Sequence, residues 1–170
     1  MWSRREDISN RPFLALLASM VAALVASFPR KARIDLKSQG QDKLFPNHMA
    51  LVNRCVQVCS AARGGGYLDR QDLDIYDACT SYFIGLTGAY TFQWRQCRLY
   101  FGECLTILRV LGLHKMQADS NYADILGGGN NGDSSGYPQH IDKVAEQIGR
   151  RLFWTAFVGM RYVLFCLSWG

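Results

Sequence analysis

Apolar residues recur at intervals of three and four along five stretches of this chain, which is the period of an α-helix. The first stretch, 13–28, lies between Pro12 and Pro29. Its small residues Ala15, Ala18, Ser19, Ala22, Ala23 and Ala26 fall on one stripe, and Leu14, Leu17, Met20, Val21, Leu24 and Val25 take the rest. Such a stripe lets another backbone come close, so this helix is expected to be central and buried on most sides. The second, 49–63, carries Leu51, Val52, Cys55, Val58, Cys59 and Ala62, and three glycines at 64–66 stop it. Asp69, Asp72 and Asp74 supply short acidic caps for a third helix, which runs through Leu73, Tyr76, Ala78, Cys79, Tyr82, Phe83 and Leu86 toward Gly88. A turn at 89–91 leads into a fourth, 92–111, with Trp94, Cys97, Tyr100, Phe101, Cys104, Leu105 and Leu108 on one face and Gly112 as a left-handed stop. These two should pack as an antiparallel pair. The fifth begins at Ile141 or Asp142 and carries Val144, Ile148, Leu152, Phe153, Phe157, Met160 and Leu164. The pattern predicts an all-α multi-helix bundle.

Composition narrows the class. A chain of 170 residues with 49% apolar and 19% charged residues can bury a core and fits one domain. The net charge of +5 is compatible with an acidic partner but comes from scattered arginines rather than a cationic stripe, so the chain is not expected to bind DNA on its own. The most basic stretch, 29–46, holds Arg30, Lys31, Arg33, Lys37 and Lys43, interrupted by Asp35 and Asp42. It reads as a solvated connection, with or without a short helix, in preference to a nuclear-localisation signal.

Six cysteines, at 55, 59, 79, 97, 104 and 166, contain no C-x-x-C pair, whereas a binuclear zinc cluster needs two. They read as reduced, buried, structural thiols of an intracellular protein. His48, Cys55 and Cys59 share a helix face without a fourth ligand, and no metal site is expected there. His114 sits just past a helix end, where an imidazole can bond to free carbonyls. That role is preferred to catalysis, since neither it, His48 nor His140 has a nucleophile partner. Asp69 with Asp72, and Asp119 with Asp124, read as caps and surface groups. The glycine-rich run at 127–136 lacks a Gly-Lys-Ser/Thr ending and reads as part of a flexible insertion at 119–139. No catalytic residues and no cofactor are expected. Glu146 and Arg150 stand in the acid-before-base order, four apart. Arg150 and Arg151 beside Phe153 and Trp154 read either as an interaction patch or, preferred, as surface arginines next to two core anchors. On the preferred reading Trp154→Ala costs roughly 3–5 kcal/mol.

Two short segments carry a resemblance. LGLHK at 111–115 and EQIGRRLFW at 146–154 stand in that order across the polar insertion. Together they resemble the regulatory middle homology domain of fungal zinc-cluster transcription factors, where a helix ends on an LGLH-type sequence, a variable loop follows, and the next helix opens with an acid, then basic residues, an apolar residue, Phe and Trp. The matching positions are Leu111, Gly112, Leu113, His114, Glu146, Arg150, Arg151, Phe153 and Trp154, with Arg161 further on. The family also places an apolar, Ala-rich helix near the start of this domain, similar to 13–28, and 76–115 looks most like its regulators of carbohydrate use. Gly149 departs from the pattern, since a polar or basic residue is usual there, and Met160 precedes Arg161 where an Asp-Arg pair is common.

The resemblance covers about 11–161 and implies the front half of such a domain, without its later helices. It also implies a nuclear protein that takes part in regulating RNA polymerase II transcription. Its contacts would be with other segments of a transcription factor, with other regulatory proteins, or with a second copy as a homodimer. Sequence-specific DNA binding and zinc belong to a zinc-cluster module absent from these 170 residues. The product then reads as a truncated gene model, a pseudogene-like fragment or a regulator that works only by association. The alternative is a small membrane-associated helical protein using 13–28 and 162–169. At 13–28 the apolar run is shorter than the about 20 residues needed to span a bilayer, and Glu6 and Asp7 argue against a signal peptide.

Overall fold

The computed structural model describes residues 10–41, 43–114 and 143–168. Within them the protein is an all-α bundle of six helices: α1 (Arg11–Ser27), α2 (Pro29–Ser38), α3 (His48–Arg63), α4 (Ile75–Tyr90), α5 (Trp94–Val110) and α6 (Lys143–Ser168), with a short 3-10 turn at Tyr67–Asp69. The insertion at 119–139, the run at 127–136, His140, Asp142 and Lys115 lie outside the described residues, as do the side chains of Leu164 and Cys166.

Local chemistry explains most of the boundaries. Asn10 caps α1 by accepting from the Phe13 amide at 3.3 Å, and Asn47 caps α3 by accepting from that of Ala50 at 2.8 Å. Asp74 and Asp77 form a reciprocal capping box on α4: the Asp74 carboxylate accepts from the Asp77 amide, and the Asp77 carboxylate from that of Asp74. Burial, the larger effect, raises the Asp74 carboxyl above its ordinary range. The basic stretch after Pro29 is helical as α2 and turns 106° from α1. No single described helix is long and apolar enough to cross a membrane, although α1 and α2 would pass by length and composition together if they were straight.

The helices α4 and α5 form the expected antiparallel pair at the centre. The pair α1 and α3 packs on one side through α1 and α4, and α6 packs on the other through α5. Helix α4 runs on past Gly88 to Tyr90, because Gly88 serves a close approach: a Cβ there would lie 2.8 Å from the Cys97 backbone nitrogen. Phe101 is the central ring, stacked on Tyr82 at 5.6 Å. It is held between Gly85 of α4 and Gly159 of α6, where added Cβ atoms would fall 2.6 and 2.9 Å from it. Helix α5 starts two residues later than its apolar period suggests because Phe92 adopts a left-handed conformation, φ 58°.

Two sequence expectations about facing are overturned. Helix α1 buries its small stripe, with Ala15, Ala18, Ser19, Ala22, Ala23 and Ala26 all in the core. Its large residues Leu17, Met20, Val21 and Leu24 are exposed, as is the C-cap Phe28, so among the described residues α1 is covered on one side only. The small side chains let α3 and α4 approach, and that close approach fixes which side turns inward. On α6, Phe153 packs against the core cluster, but Trp154 is 62% exposed and is not a core anchor.

Candidate functional site

The two segments that carry the family resemblance meet in space. Helix α5 ends in a Schellman motif: the Leu113 amide donates to the Leu108 carbonyl at 3.0 Å and that of Gly112 to Arg109 at 3.1 Å. Gly112 takes φ 70°, which only glycine adopts without strain. Leu111 is the C-cap of the helix, and Leu113, two residues on, is buried. Leu113 seats against Gly149 of α6. The His114 ring lies 5.8 Å from the Phe153 ring at an interplanar angle of 35°, and the Arg109 guanidinium sits 5.7 Å above the same phenyl.

His114 therefore does not cap the helix as expected. The carbonyls at the end of α5 are occupied by the backbone amides of Leu111, Gly112 and Leu113. The imidazole lies tilted against the Phe153 ring, with its Nδ1 buried and without a hydrogen-bond partner among the described residues. Glu146 and Arg150 form the expected pair, 3.5 Å apart. Arg161 lies 5.2 Å over the Phe157 ring. Arg151 and Trp154 point away from the bundle, both exposed. Of the motif positions, Leu111, Gly112, Leu113, His114 and Phe153 thus build one inter-helix junction, whereas Arg151 and Trp154 form part of an outer surface.

A second polar centre went unnoticed in the sequence. Arg63, at the end of α3, is buried. Its Nη1 donates to Glu103 Oε1 and to Tyr67 Oη, each at 2.9 Å, and its Nη2 to the Asp77 carbonyl at 2.6 Å and to Ser81 Oγ at 2.7 Å. Ser81 in turn donates to Glu103 at 2.5 Å. Arg70 donates to both oxygens of the buried Asp77 carboxylate, at 3.1 and 3.0 Å. Burial, with the Glu103 hydrogen bond second, pushes the Tyr67 phenol well above its ordinary value. The network ties α3, α4 and α5 together and borders a cavity of about 370 Å³, lined by Ser60, Arg63, Tyr67, Tyr100 and Glu103 among others. The signal for it was present: Glu103 is the one acid within α5, set beside the apolar face of that helix.

Burial pushes the Cys59 and Cys97 thiols up to about 11 and Cys104 up to about 12, the reverse of what a thiolate nucleophile requires. Among the described residues no three His, Cys, Asp or Glu side chains converge on one point, and His48, Cys55 and Cys59 do not form such a group. Comparison with known proteins finds no matching family model, curated protein or solved structure.

Proposed function

We propose that the chain is the front part of a regulatory domain of the fungal zinc-cluster transcription-factor type, acting in the nucleus on RNA polymerase II transcription through protein contacts and without catalysis. The observation that carries this reading is the junction of its two motif segments. Leu113 on Gly149 and His114 on Phe153 bring together two segments that the sequence separates by the insertion. That junction gives the order LGLH, loop, basic-aromatic helix a physical reason: the Schellman turn aims Leu113 and His114 at α6. Zinc and sequence-specific DNA binding belong, on this reading, to a separate module with the two C-x-x-C pairs that these residues lack.

The test is to tether the whole chain to a heterologous DNA-binding module upstream of a reporter in a fungal cell. A severalfold rise or fall in reporter output relative to the module alone is expected. An unchanged output from an abundant, nuclear fusion would overturn the reading.

The exposed row Leu17, Met20, Val21, Leu24 and Phe28 favours a second reading, a protein held at a membrane surface. Fractionation separates the two, because only that second reading expects the chain to sediment with membranes.

A further inference from the structure

The cavity of about 370 Å³ among α3, α4 and α5 has a polar end and an apolar wall. Arg63 and Glu103 make the polar end. Four of the five guanidinium N–H groups are taken, by Glu103, Tyr67, Ser81 and the Asp77 carbonyl. The fifth, on Nε, is buried and meets no acceptor among the described residues. Arg63 and Ser81 both donate to Oε1 of Glu103, so neither covers Oε2. Ile84 and Leu99 supply aliphatic wall, and the rings of Tyr67 and Tyr100 supply flat wall. Both rings are held in place: Tyr67 lies against the Arg63 guanidinium at 4.3 Å, and Tyr100 packs on the cluster of Ala15, Cys59 and Ile84. A site fixed in this way asks little reorganisation of itself on binding.

We infer that this cavity binds a small uncharged cyclic polyol, the chemistry that monosaccharides and inositols share. Charge and polarity select the class. Among the lining residues only Arg63 and Glu103 are ionised, and they lie 2.9 Å apart, so the wall as a whole is neutral. An anion that reached Arg63 would be opposed by Glu103, and a cation that reached Glu103 would be opposed by Arg63. A purely apolar ligand would strip water from the carboxylate and the tyrosine hydroxyls without replacing its hydrogen bonds. A ring with hydroxyls on its rim and C–H groups on its faces meets both kinds of wall. Its faces lie on the tyrosines and Leu99, while rim hydroxyls donate to Glu103 and accept from Arg63, directly or through one water. A volume of about 370 Å³ suits one such ring, being near the lower limit of ligand cavities. The inference is independent of the regulatory-domain reading, which is carried by the junction of α5 with α6.

The test is calorimetric titration of the full chain with D-glucose, D-galactose, D-xylose and myo-inositol. Two charged relatives of glucose, glucuronate and, at about pH 6, glucosamine, serve as the contrast. At least one neutral polyol should bind with Kd below about 1 mM and raise Tm as its concentration rises. Each charged relative should bind at least tenfold more weakly than the tightest neutral polyol. Ser60→Phe fills the cavity from an exposed position on α3 and should abolish binding with circular dichroism and Tm retained. Trp154→Ala, on α6, should leave binding unchanged. Failure of all four neutral polyols to bind the folded chain overturns the inference. So does a charged relative that binds as tightly as the neutral ones, or binding that Ser60→Phe leaves intact or Trp154→Ala removes.

Discussion

Leu113 lies over Gly149 so closely that a Cβ added at position 149 would fall 2.7 Å from the leucine's own Cβ. Both atoms are fixed to backbone, so neither can swing away as a long side chain would. Gly149→Ala gains about 1 kcal/mol of helix propensity and loses about 1–3 kcal/mol to overpacking. A net loss of up to about 2 kcal/mol, read as a Tm lower by several degrees, is expected. Gly102→Ala is the matched control, because its Cβ would meet the flexible end of Met160 at 3.3 Å, and it should be neutral or stabilising. A larger side chain would be worse than alanine here, so Gly149→Arg should disrupt the α5–α6 junction. Equal melting of the Gly149→Ala and Gly102→Ala variants would refute this packing.

Arg63 carries the second prediction. Its guanidinium is met by Glu103, Tyr67, Ser81 and the Asp77 carbonyl, and the arginine and glutamate side chains are only 4% and 18% exposed. Arg63→Met leaves the Glu103 charge uncompensated in a largely dry site and should cost about 3–5 kcal/mol. Arg63→Lys keeps the charge but loses the planar fork that serves four acceptors at once, and should recover only part of that loss. The urea midpoint should fall in the order wild type, Lys, Met, with the slope unchanged. A methionine variant as stable as the wild type would show the network to be dispensable.

Helix existence and several helix ends were legible because their causes are local. The three-four period, the cap at Asp74 and the left-handed stop at Gly112 each act within a turn or two of chain. Facing was not legible wherever both sides of a helix are apolar. In α1 the choice went to the alanines, and in α6 Phe153 went in while its neighbour Trp154 went out. Hydrophobicity alone cannot order two apolar faces; the closeness of the neighbouring backbone does. The Arg63 network was hidden for a different reason. Its partners stand up to 40 residues apart, and a charged residue near a helix end reads as solvated until another element supplies the opposite charge.

Phe92 occupies the position that glycine normally takes at the end of a helix. The Gln93 amide donates to Gly88 at 2.8 Å and that of Phe92 to Ala89 at 3.3 Å, so α4 closes in a Schellman motif as α5 does, but with a phenylalanine at φ 58°. For a bulky residue that conformation costs about 1–2 kcal/mol. The ring is 77% exposed, with an edge contact to Trp94 at 5.7 Å, so little packing offsets the strain. Phe92→Asn keeps a side chain that tolerates the left-handed region and should raise stability by on the order of 1 kcal/mol. A lowered Tm would mean that the Trp94 contact outweighs the backbone strain.

Alkaline pH should unfold the chain through its buried thiols. Cys59, Cys97 and Cys104 have no solvent exposure, and burial raises them from an ordinary 9.0 to about 11, about 11 and about 12. The unfolded chain therefore begins to release these protons near pH 9, while the folded chain holds them until about pH 11. Between those limits the folded state binds more protons, so stability falls as pH rises; below about pH 8 these groups contribute no slope. Each thiol that is neutral when folded and ionised when unfolded contributes about 1.4 kcal/mol per pH unit, and with Cys79, also raised by burial to about 11, four together approach about 6. Cys104→Ala should flatten the dependence by about a quarter even though it also lowers stability at neutral pH by leaving a small cavity. Urea midpoints measured in steps from pH 8 upward would decide it: a flat profile through that window means that the thiols ionise as readily in the folded chain as in the unfolded one, and that the packing around α4 and α5 is looser than described.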